Sequence, residues 1–351
     1  MKVRHLISGA VAALVIGAAA APAPARAVVD TFYVNGSKSS VGAGGSCASP
    51  DFIDIVAAVE DADVSSGDII HVCKGLYRLS DPLDLDGENK NLIFEGDGKT
   101  KTTLDGRNQD RIVNGAGQNV TFRDIKLIQG RTDGSGGAIK AATVTLDRVA
   151  ISLNRADGDG GAIYASGDVS ITDSLVSTNK ATDGDGGGIY AAGSVTVFNS
   201  SVVSNTSSGD GGGIYAGNDL ALNGADIQRN TAAADGGGAY VVDDLTAVDS
   251  TLLKNIASGT GDPEGNGGGA YVGDAATLTG AMIVRLNTAT TDGGGLYVNG
   301  AFSSAATRFL SNTARLGDGG GIFYGSTWSP KPGNNRFSGN KSHNRDTYSY
   351  N

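Results

Sequence analysis

The sequence predicts an all-β fold, a single-stranded parallel β-helix with about 25 residues in each coil. Glycine pairs or triplets followed by an apolar residue recur eight times, at Ile139, Ile163, Ile189, Ile214, Ala239, Ala270, Leu296 and Ile322. A column of asparagines runs in phase with them, at Asn154, Asn179, Asn205, Asn230, Asn255, Asn287, Asn312 and Asn340. Between the turns, β-branched residues alternate with polar ones, as is typical of half-buried strands. The period is too short for a propeller blade, and the leucine spacing of a leucine-rich repeat is absent.

Composition and charge narrow the class of protein. The chain has 351 residues, of which 55 are glycine, and 39% are apolar, which is too many for a disordered glycine-rich chain. The glycines follow no G-X-Y period, which excludes collagen. A formal net charge of −10 argues against a nucleic-acid partner, and three histidines with two cysteines give no zinc-type cluster.

Residues 1–27 have the features of a bacterial signal peptide. Basic residues precede an apolar run, and Ala25-Arg26-Ala27 fits a cleavage site. We therefore expect a protein that is secreted or held at the bacterial cell surface, without a membrane span in the mature chain. Export would permit a disulfide bond. Cys47 and Cys73 are the only cysteines, so they pair with each other or remain free thiols.

The segment from 28 to 80 is predicted to form an N-terminal cap and the first strand. Residues 51–62 have apolar side chains at helical spacing, and Ser49-Pro50 suits the N-cap and first helical position. A helix there would cover strand edges at the end of the solenoid. A disulfide would contribute about 3 kcal/mol by tying this helix to the strand around Ile69–Val72.

The parallel β-helix is predicted over 81–327, and 328–351 is predicted to be a partial coil with a polar tail. The coil at 188–205 contains three strand-like segments, GIYAA, VTVFNS and SVVSN. Because stacked coils lie about 4.8 Å apart, equivalent residues form columns along the axis. Asparagine amides in such a column can bond to those above and below, which predicts a structural role for the asparagines.

The repeats resemble those of the chlamydial polymorphic outer membrane proteins. GGAI occurs at 136–139 and 160–163, and a phenylalanine precedes an asparagine by three residues in Phe309-x-x-Asn312 and Phe337-x-x-Asn340. The resemblance covers 136–340 and implies an adhesin-like protein. The segment GDIIHVCKGLYRL is similar to the entry of pectin-lyase-like β-helices, and this resemblance implies a right-handed helix.

One outward-facing column is aromatic. If Ile189 and Ala191 point inward, the residue between them points outward, and equivalent positions hold Lys140, Tyr164, Tyr190, Tyr215, Tyr240, Tyr271, Tyr297 and Phe323. The six tyrosines are candidate ligand-binding residues, because an aromatic strip with hydroxyls can pack on sugar rings or on a partner protein. The alternative is a stacking ladder that only stiffens the solenoid.

A second column is acidic and is a candidate metal site. Its members are Asp159, Asp185, Asp210, Asp235, Asp292 and Asp318, with Asn266 at the equivalent place in the coil that carries an insertion. Carboxylates this close repel each other unless something compensates. Either each carboxylate accepts N–H bonds from the glycines that follow it, or shared cations lie between them. Calcium is the usual cation for such oxygens, and it is the one cofactor that the sequence suggests.

Together these features favour a non-catalytic, adhesin-like binding protein whose partner is an extracellular polysaccharide or a cell-surface protein. A polysaccharide lyase or hydrolase of the pectin-lyase-like fold is the alternative, and a structural coat protein is a third interpretation. No catalytic residue can be assigned, because nearly every pair of carboxylates belongs to the repeat. Arginines that could serve a lyase are scattered, at Arg148, Arg155, Arg229, Arg285 and Arg308.

Overall fold

The computed structural model describes residues 29–259, 264–325 and 335–343, and it is a parallel β-solenoid. The predicted all-β fold class and the period of about 25 residues are confirmed. Within the described residues there are two short helices, Ile55–Glu60 and Leu85–Glu88. The expected signal peptide at 1–27 lies outside the described residues. The right-handed winding stays a prediction from the resemblance.

Each regular coil contributes four short strands to three parallel sheets, whereas the sequence predicted three strands per coil. In one coil, Ile214–Ala216 and Leu220–Asn223 belong to the first sheet, Asp226–Gln228 to the second and Thr231–Ala232 to the third. The sequence analysis did not predict the fourth strand, because two residues are too few to show an alternation of apolar and polar side chains.

All pairs of these strands within the described residues are parallel. The first sheet begins at Thr31 and the second at Gly75, whereas the third begins at Arg131. The first sheet contains Thr31–Val34, Ile69–Val72, Leu83–Asp84, Leu92–Gly96, Val113–Arg123, Ile139–Asp147, Ile163–Ala165, Val169–Thr172, Ile189–Ala191, Val195–Phe198, Ile214–Ala216, Leu220–Asn223, Ala239–Val241, Leu245–Val248, Ala270–Val272, Ala276–Thr279, Leu296–Val298, Phe302–Ser304 and Ile322–Tyr324. The second contains Gly75–Arg78, Thr102–Asp105, Lys126–Ile128, Ala150–Ser152, Leu175–Ser177, Ser201–Val203, Asp226–Gln228, Thr251–Leu253, Ile283–Arg285, Arg308–Leu310 and Arg336–Ser338. The third contains Arg131–Thr132, Arg155–Ala156, Lys180–Ala181, Thr206–Ser207, Thr231–Ala232, Ile256–Ala257, Thr288–Ala289 and Thr313–Ala314.

The interior of the solenoid is filled by one apolar side chain above another. Ile189 and Ala191 are fully buried, so the predicted inward parity of this strand is confirmed. Ile189 pairs with Ile163 below and Ile214 above, so each coil places the same shape on its neighbour. Burying such an isoleucine contributes about 1.5–3 kcal/mol, and the repetition extends this core along the whole axis.

The asparagine column forms the predicted amide ladder inside the solenoid. The side-chain oxygen of Asn205 accepts hydrogen bonds from the backbone N–H and the side-chain amide of Asn179, at 2.9 and 3.0 Å. Its own amide donates to the oxygen of Asn230 at 3.1 Å and to the carbonyl of Val176 at 3.1 Å. The same side-chain bonds join every consecutive pair from Asn154 to Asn340. The structural role predicted for these asparagines is therefore confirmed.

The glycine triplet is required where the coils approach each other. Gly211 has a φ of +61°, and a Cβ placed there would lie 2.3 Å from the carbonyl oxygen of Ile214. A Cβ on Gly212 would lie 2.4 Å from the carbonyl oxygen of Gly237 in the next coil. The backbone of this turn therefore packs directly on the backbone of the next one, and no other residue type fits.

The first helix is shorter than the sequence predicted and begins later. It spans Ile55–Glu60, and its N-cap is Asp54, whose carboxylate accepts a bond from the N–H of Val56. The prediction of Ser49-Pro50 as the helix start is wrong, because the backbone N–H groups of residues 51 and 52 bond to the carbonyl of Tyr33. These residues therefore line the first strand. That the helix closes the end of the solenoid stays a prediction.

The predicted disulfide is present. Cys47 and Cys73 are bonded, with their Cα atoms 5.7 Å apart, so the alternative of two free thiols is excluded. Cys73 directly follows the strand Ile69–Val72, and Cys47 lies in the loop between the first strand and the first helix. The bridge thus fastens this loop to the sheet. The strand Thr31–Val34 pairs with Ile69–Val72, so the first sheet already starts at residue 31.

Candidate functional site

Six tyrosines form a continuous surface column on the first sheet, which we call the tyrosine strip: Tyr164, Tyr190, Tyr215, Tyr240, Tyr271 and Tyr297. Each tyrosine is the exact strand partner of the next, between two buried residues. All six are half-buried. The pleat therefore places one phenol on the surface in every coil, as the sequence predicted.

The rings of the strip stack on one another. Neighbouring ring centroids are 4.7–5.2 Å apart, and the ring planes within the strip differ by only 2–10°. Phe323 continues the stack beyond Tyr297 at 4.9 Å. The faces of the interior rings are consequently covered by their neighbours. The expectation that these faces pack on sugar rings must be revised, because a ligand meets ring edges and hydroxyls.

The hydroxyl groups of the strip face outward. The Tyr271 hydroxyl accepts a hydrogen bond from the side-chain amide of Asn299 at 2.8 Å. The other five hydroxyls have no hydrogen-bond partner among the residues that the structure describes, and none of them is a buried unsatisfied atom. They are therefore open to solvent. Four consecutive coils, from Tyr164 to Tyr240, each present a free hydroxyl, and Tyr297 adds a fifth beyond Tyr271; together they are a repeating set of donors and acceptors.

Burial and nearby carboxylates raise the pKa of five of these phenols, from Tyr190 to Tyr297. Burial, together with the neighbouring tyrosines and aspartates, raises the pKa of Tyr190 to about 12. The pKa values of Tyr215, Tyr240, Tyr271 and Tyr297 are also raised, chiefly by burial. At neutral pH each hydroxyl can therefore both donate and accept a hydrogen bond.

The strip ends in charged residues on its N-terminal side. The Lys140 ammonium lies 6.0 Å from the centre of the Tyr164 ring. Below Lys140 the same column continues through Asn114 and Asp84, which are hydrogen-bonded to each other at 3.0 Å. A cleft of about 410 Å³ opens beside them, lined by Val56, Glu60, Asp81, Pro82, Asp84, Arg111 and Asn114.

The aspartate column forms a third ladder, at the turn that precedes the strip. The Asp185 carboxylate accepts a hydrogen bond from the backbone N–H of Asp210 in the next coil at 2.7 Å, and Asp210 does the same for Asp235 at 2.9 Å. Asn266 fits into the series, because its side-chain oxygen accepts from the N–H of Asp292. The donor is thus the equivalent residue one coil on. The prediction that the glycines following each aspartate in its own turn donate this hydrogen bond is wrong.

Burial is the main influence on the protonation of the column. Burial, and to a smaller degree the adjacent carboxylate, raises the pKa of Asp210 to about 6 and that of Asp235 to about 7, although each accepts a backbone hydrogen bond that acts in the opposite direction. Burial also raises the pKa of Asp185 and Asp292. Backbone donors and partial protonation together relieve the repulsion. Calcium binding by this column stays a prediction.

A second acidic row, which the sequence analysis did not single out as a site, lies on the other side of the strip. It contains the exposed residues Asp168, Asp219 and Asp244, each four positions after a strip tyrosine. The carboxylate of Asp244 accepts from the backbone N–H of Ala275 in the next coil at 2.9 Å, and Asp219 accepts from Asp244 at 3.2 Å. The signal was the constant offset from the tyrosine, which three of the six coils show.

Several arginines have structural partners. Arg148 forms ion pairs with Asp124 and Asp147, both at 2.6 Å, and Arg155 pairs with Asp157 at 3.0 Å. Arg111 is largely buried, and it donates to the carbonyls of Ser135 and Gly136. None of these groups brings an arginine to the tyrosine strip.

Comparisons with known proteins agree with the repeat. Residues 148–166 match the Chlamydia polymorphic membrane protein repeat, so the resemblance seen in the sequence is confirmed for that coil. Among solved structures, the chain is similar to the A-module of the mannuronan C-5 epimerase AlgE6 of Azotobacter vinelandii, at 13% identity and a TM-score of 0.39. That match covers 83% of this chain and 95% of the module. No curated protein matches. In the described part of the chain, no helix has the length and apolar character needed to cross a membrane.

Proposed function

We propose that this chain is an adhesin-like binding protein that is secreted or held at the bacterial surface, and that it binds an extended partner through the tyrosine strip without catalysing a reaction. The partner is an extracellular polysaccharide or a cell-surface protein. The observation that carries the proposal is the set of five free tyrosine hydroxyls, four of them in consecutive coils from Tyr164 to Tyr240 and the fifth at Tyr297. The match of one coil to the polymorphic membrane protein repeat supports a surface location.

The geometry favours recognition through hydroxyls. Because the rings stack on each other, the strip offers a rigid row of polar tips and loses little side-chain entropy when a ligand binds. Each hydroxyl adds one modest hydrogen bond, worth about 0.5–1.5 kcal/mol. Affinity would therefore come from many equal contacts rather than from one anchor.

The test removes hydroxyls while keeping the stack. Tyr190, Tyr215 and Tyr240 are all changed to phenylalanine, and binding to a panel of polysaccharides and to host cells is measured beside the unmodified chain. We expect the triple variant to bind at least tenfold more weakly, because three hydrogen bonds are lost. Tyr33→Phe is the control, since that tyrosine lies outside the strip and its ring contacts His71 at a tilt of 40°.

Equal binding by the triple variant and the unmodified chain would overturn the proposal, and so would the absence of binding to every partner. The polymers are also sized after incubation, with calcium and with chelator. Shortening of one polymer would favour the alternative, a polysaccharide lyase or hydrolase. Self-assembly without selectivity for any polymer would favour a structural coat protein.

A further inference from the structure

The surface around the tyrosine strip has a one-sided charge. We call this surface the strip face: it consists of residues 157–168, 182–194, 208–219, 233–244, 264–275 and 290–301, which hold the six tyrosines and the turns on both sides. The strip face contains no lysine or arginine. It contains thirteen carboxylates: Asp157, Asp159, Asp168, Asp183, Asp185, Asp210, Asp219, Asp235, Asp243, Asp244, Glu264, Asp274 and Asp292.

None of these carboxylate residues is fully buried, and Asp243, Asp244 and Asp274 are exposed. Where a carboxylate supports the next coil it does so through one oxygen, as Asp244 does for Ala275, so the second oxygen is free for another partner. One of these carboxylates, Asp157, is paired with Arg155, which lies just outside the strip face. Arg285, by contrast, is part of the second sheet. The strip face therefore has a strong negative field, which repels anionic polymers and attracts cationic ones.

The strip face is also periodic. The turn before the tyrosine is acidic in all six coils, and the coils of Tyr164, Tyr215 and Tyr240 place a free hydroxyl between two acidic turns. Successive coils are about 4.8 Å apart. A folded basic protein would match such a series at only a few points. A polymer with a cationic group on its repeating unit meets equivalent partners along its length, and an ammonium group can donate to a carboxylate and a phenol together.

We propose that the ligand of the strip face is a cationic polysaccharide that carries free amino groups, such as a partly de-N-acetylated polymer of amino sugars. This inference rests on the proposed function and specifies its ligand. The experiment uses two forms of one probe, oligomers of N-acetylglucosamine of equal length, either fully N-acetylated or partly de-N-acetylated. We expect at least tenfold tighter binding of the amino form at low salt, with the difference shrinking as salt screens the charges.

A variant links this selectivity to the strip face. In one chain, Asp243, Asp244 and Asp274 are changed to asparagine, which keeps the side-chain oxygen by which Asp244 accepts from Ala275. Asn266 already performs this role in the neighbouring column, so the fold tolerates the exchange. We expect at least fivefold weaker binding of the amino form. The matched control changes Asp173, Asp226 and Asp249 to asparagine, which removes equal charge from other parts of the coil, and it should bind normally.

Each outcome decides one question. Equal, salt-independent affinity for both forms, or an equal loss in the two aspartate variants, would overturn the charge selectivity while leaving the strip as a binding surface. Tighter binding of poly-lysine than of the amino polysaccharide would assign the strip face to a basic protein and overturn this proposal. If the three tyrosine-to-phenylalanine changes have no effect on any bound partner, the proposed function itself fails.

Discussion

The interior asparagine ladder and the surface tyrosine strip are built from the same repeat, yet they differ in how fully their polar groups are paired. Asn205 is fully buried, and both its amide and its oxygen are bonded within the protein. Tyr215, in the adjacent coil, has its ring covered on both faces while its hydroxyl is open. The comparison shows that repetition alone does not reveal a role. A column whose polar groups are hydrogen-bonded within the protein supports the fold. A column whose polar groups lack such partners has donors and acceptors left for a ligand.

Breaking the interior ladder should have the largest effect. Asn205→Ala leaves the backbone N–H of Asn179 and the carbonyl of Val176 without these buried bonds. We expect a loss of about 3–5 kcal/mol in the free energy of unfolding, measured by urea denaturation. The control is Asn218→Ala, in an exposed turn. A loss in Asn205→Ala no larger than in the control would show that the ladder is not a main support.

Breaking the surface stack should cost less. Tyr215 stacks on Tyr190 at 4.7 Å and on Tyr240 at 5.2 Å. Tyr215→Ala removes both ring contacts, and at about 1 kcal/mol for each pair we expect a loss of about 2 kcal/mol in stability. Tyr215→Phe keeps both contacts and should stay within about 0.5 kcal/mol of the unmodified protein. A large loss in Tyr215→Phe would mean that the hydroxyl has a structural role, which would weaken the comparison.

The aspartate ladder shares one property with each of these columns. Its carboxylates accept hydrogen bonds from the next coil, as the asparagines do, and they are partly exposed, as the tyrosines are. The folded protein holds the protons of Asp210 and Asp235 more tightly than the unfolded chain does, since their pKa values are raised to about 6 and about 7. Stability should therefore rise as the pH falls through this range. We expect the melting temperature to increase by a few degrees between pH about 8 and about 5. A chain with Asp210→Asn and Asp235→Asn should show a smaller change.

If that double variant keeps the full pH dependence, groups outside this column are responsible. If its melting temperature also falls at all pH values, asparagine does not replace aspartate here as well as it does at position 266. Either result would distinguish the contribution of the aspartate ladder to stability from that of the asparagine ladder.

Much of the fold followed from the sequence because a solenoid places residues one period apart on top of each other. The partners Asn205 and Asn230, the inward position of Ile189 and the stacking order of the tyrosines all follow from that single rule. The bridge between Cys47 and Cys73 followed from there being only two cysteines. The repeat period could not predict the irregular N-terminal region. There, the backbone N–H groups of residues 51 and 52 donate to the first strand, and the helix begins only at Ile55.

The candidate site was only partly predictable. The sequence located the tyrosine and aspartate columns, but it could not show which groups meet between coils. Asp210 accepts a hydrogen bond from the N–H of Asp235 in the next coil and not from the glycines that follow it in its own turn. Likewise the faces of the Tyr190 and Tyr215 rings are covered, a fact that depends on side-chain orientation. The exposed Asp244 became part of the site only once its turn was seen beside the strip.

The identity of successive coils has a consequence for how such a protein can change. Since Tyr190 contacts Tyr215 in the way that Tyr215 contacts Tyr240, removal of one full period would bring together two surfaces that already fit. In-frame loss or duplication of one repeat in the gene should therefore yield a folded chain that is shorter or longer by about 4.8 Å. Recombination can therefore change the length of the solenoid in steps of one coil.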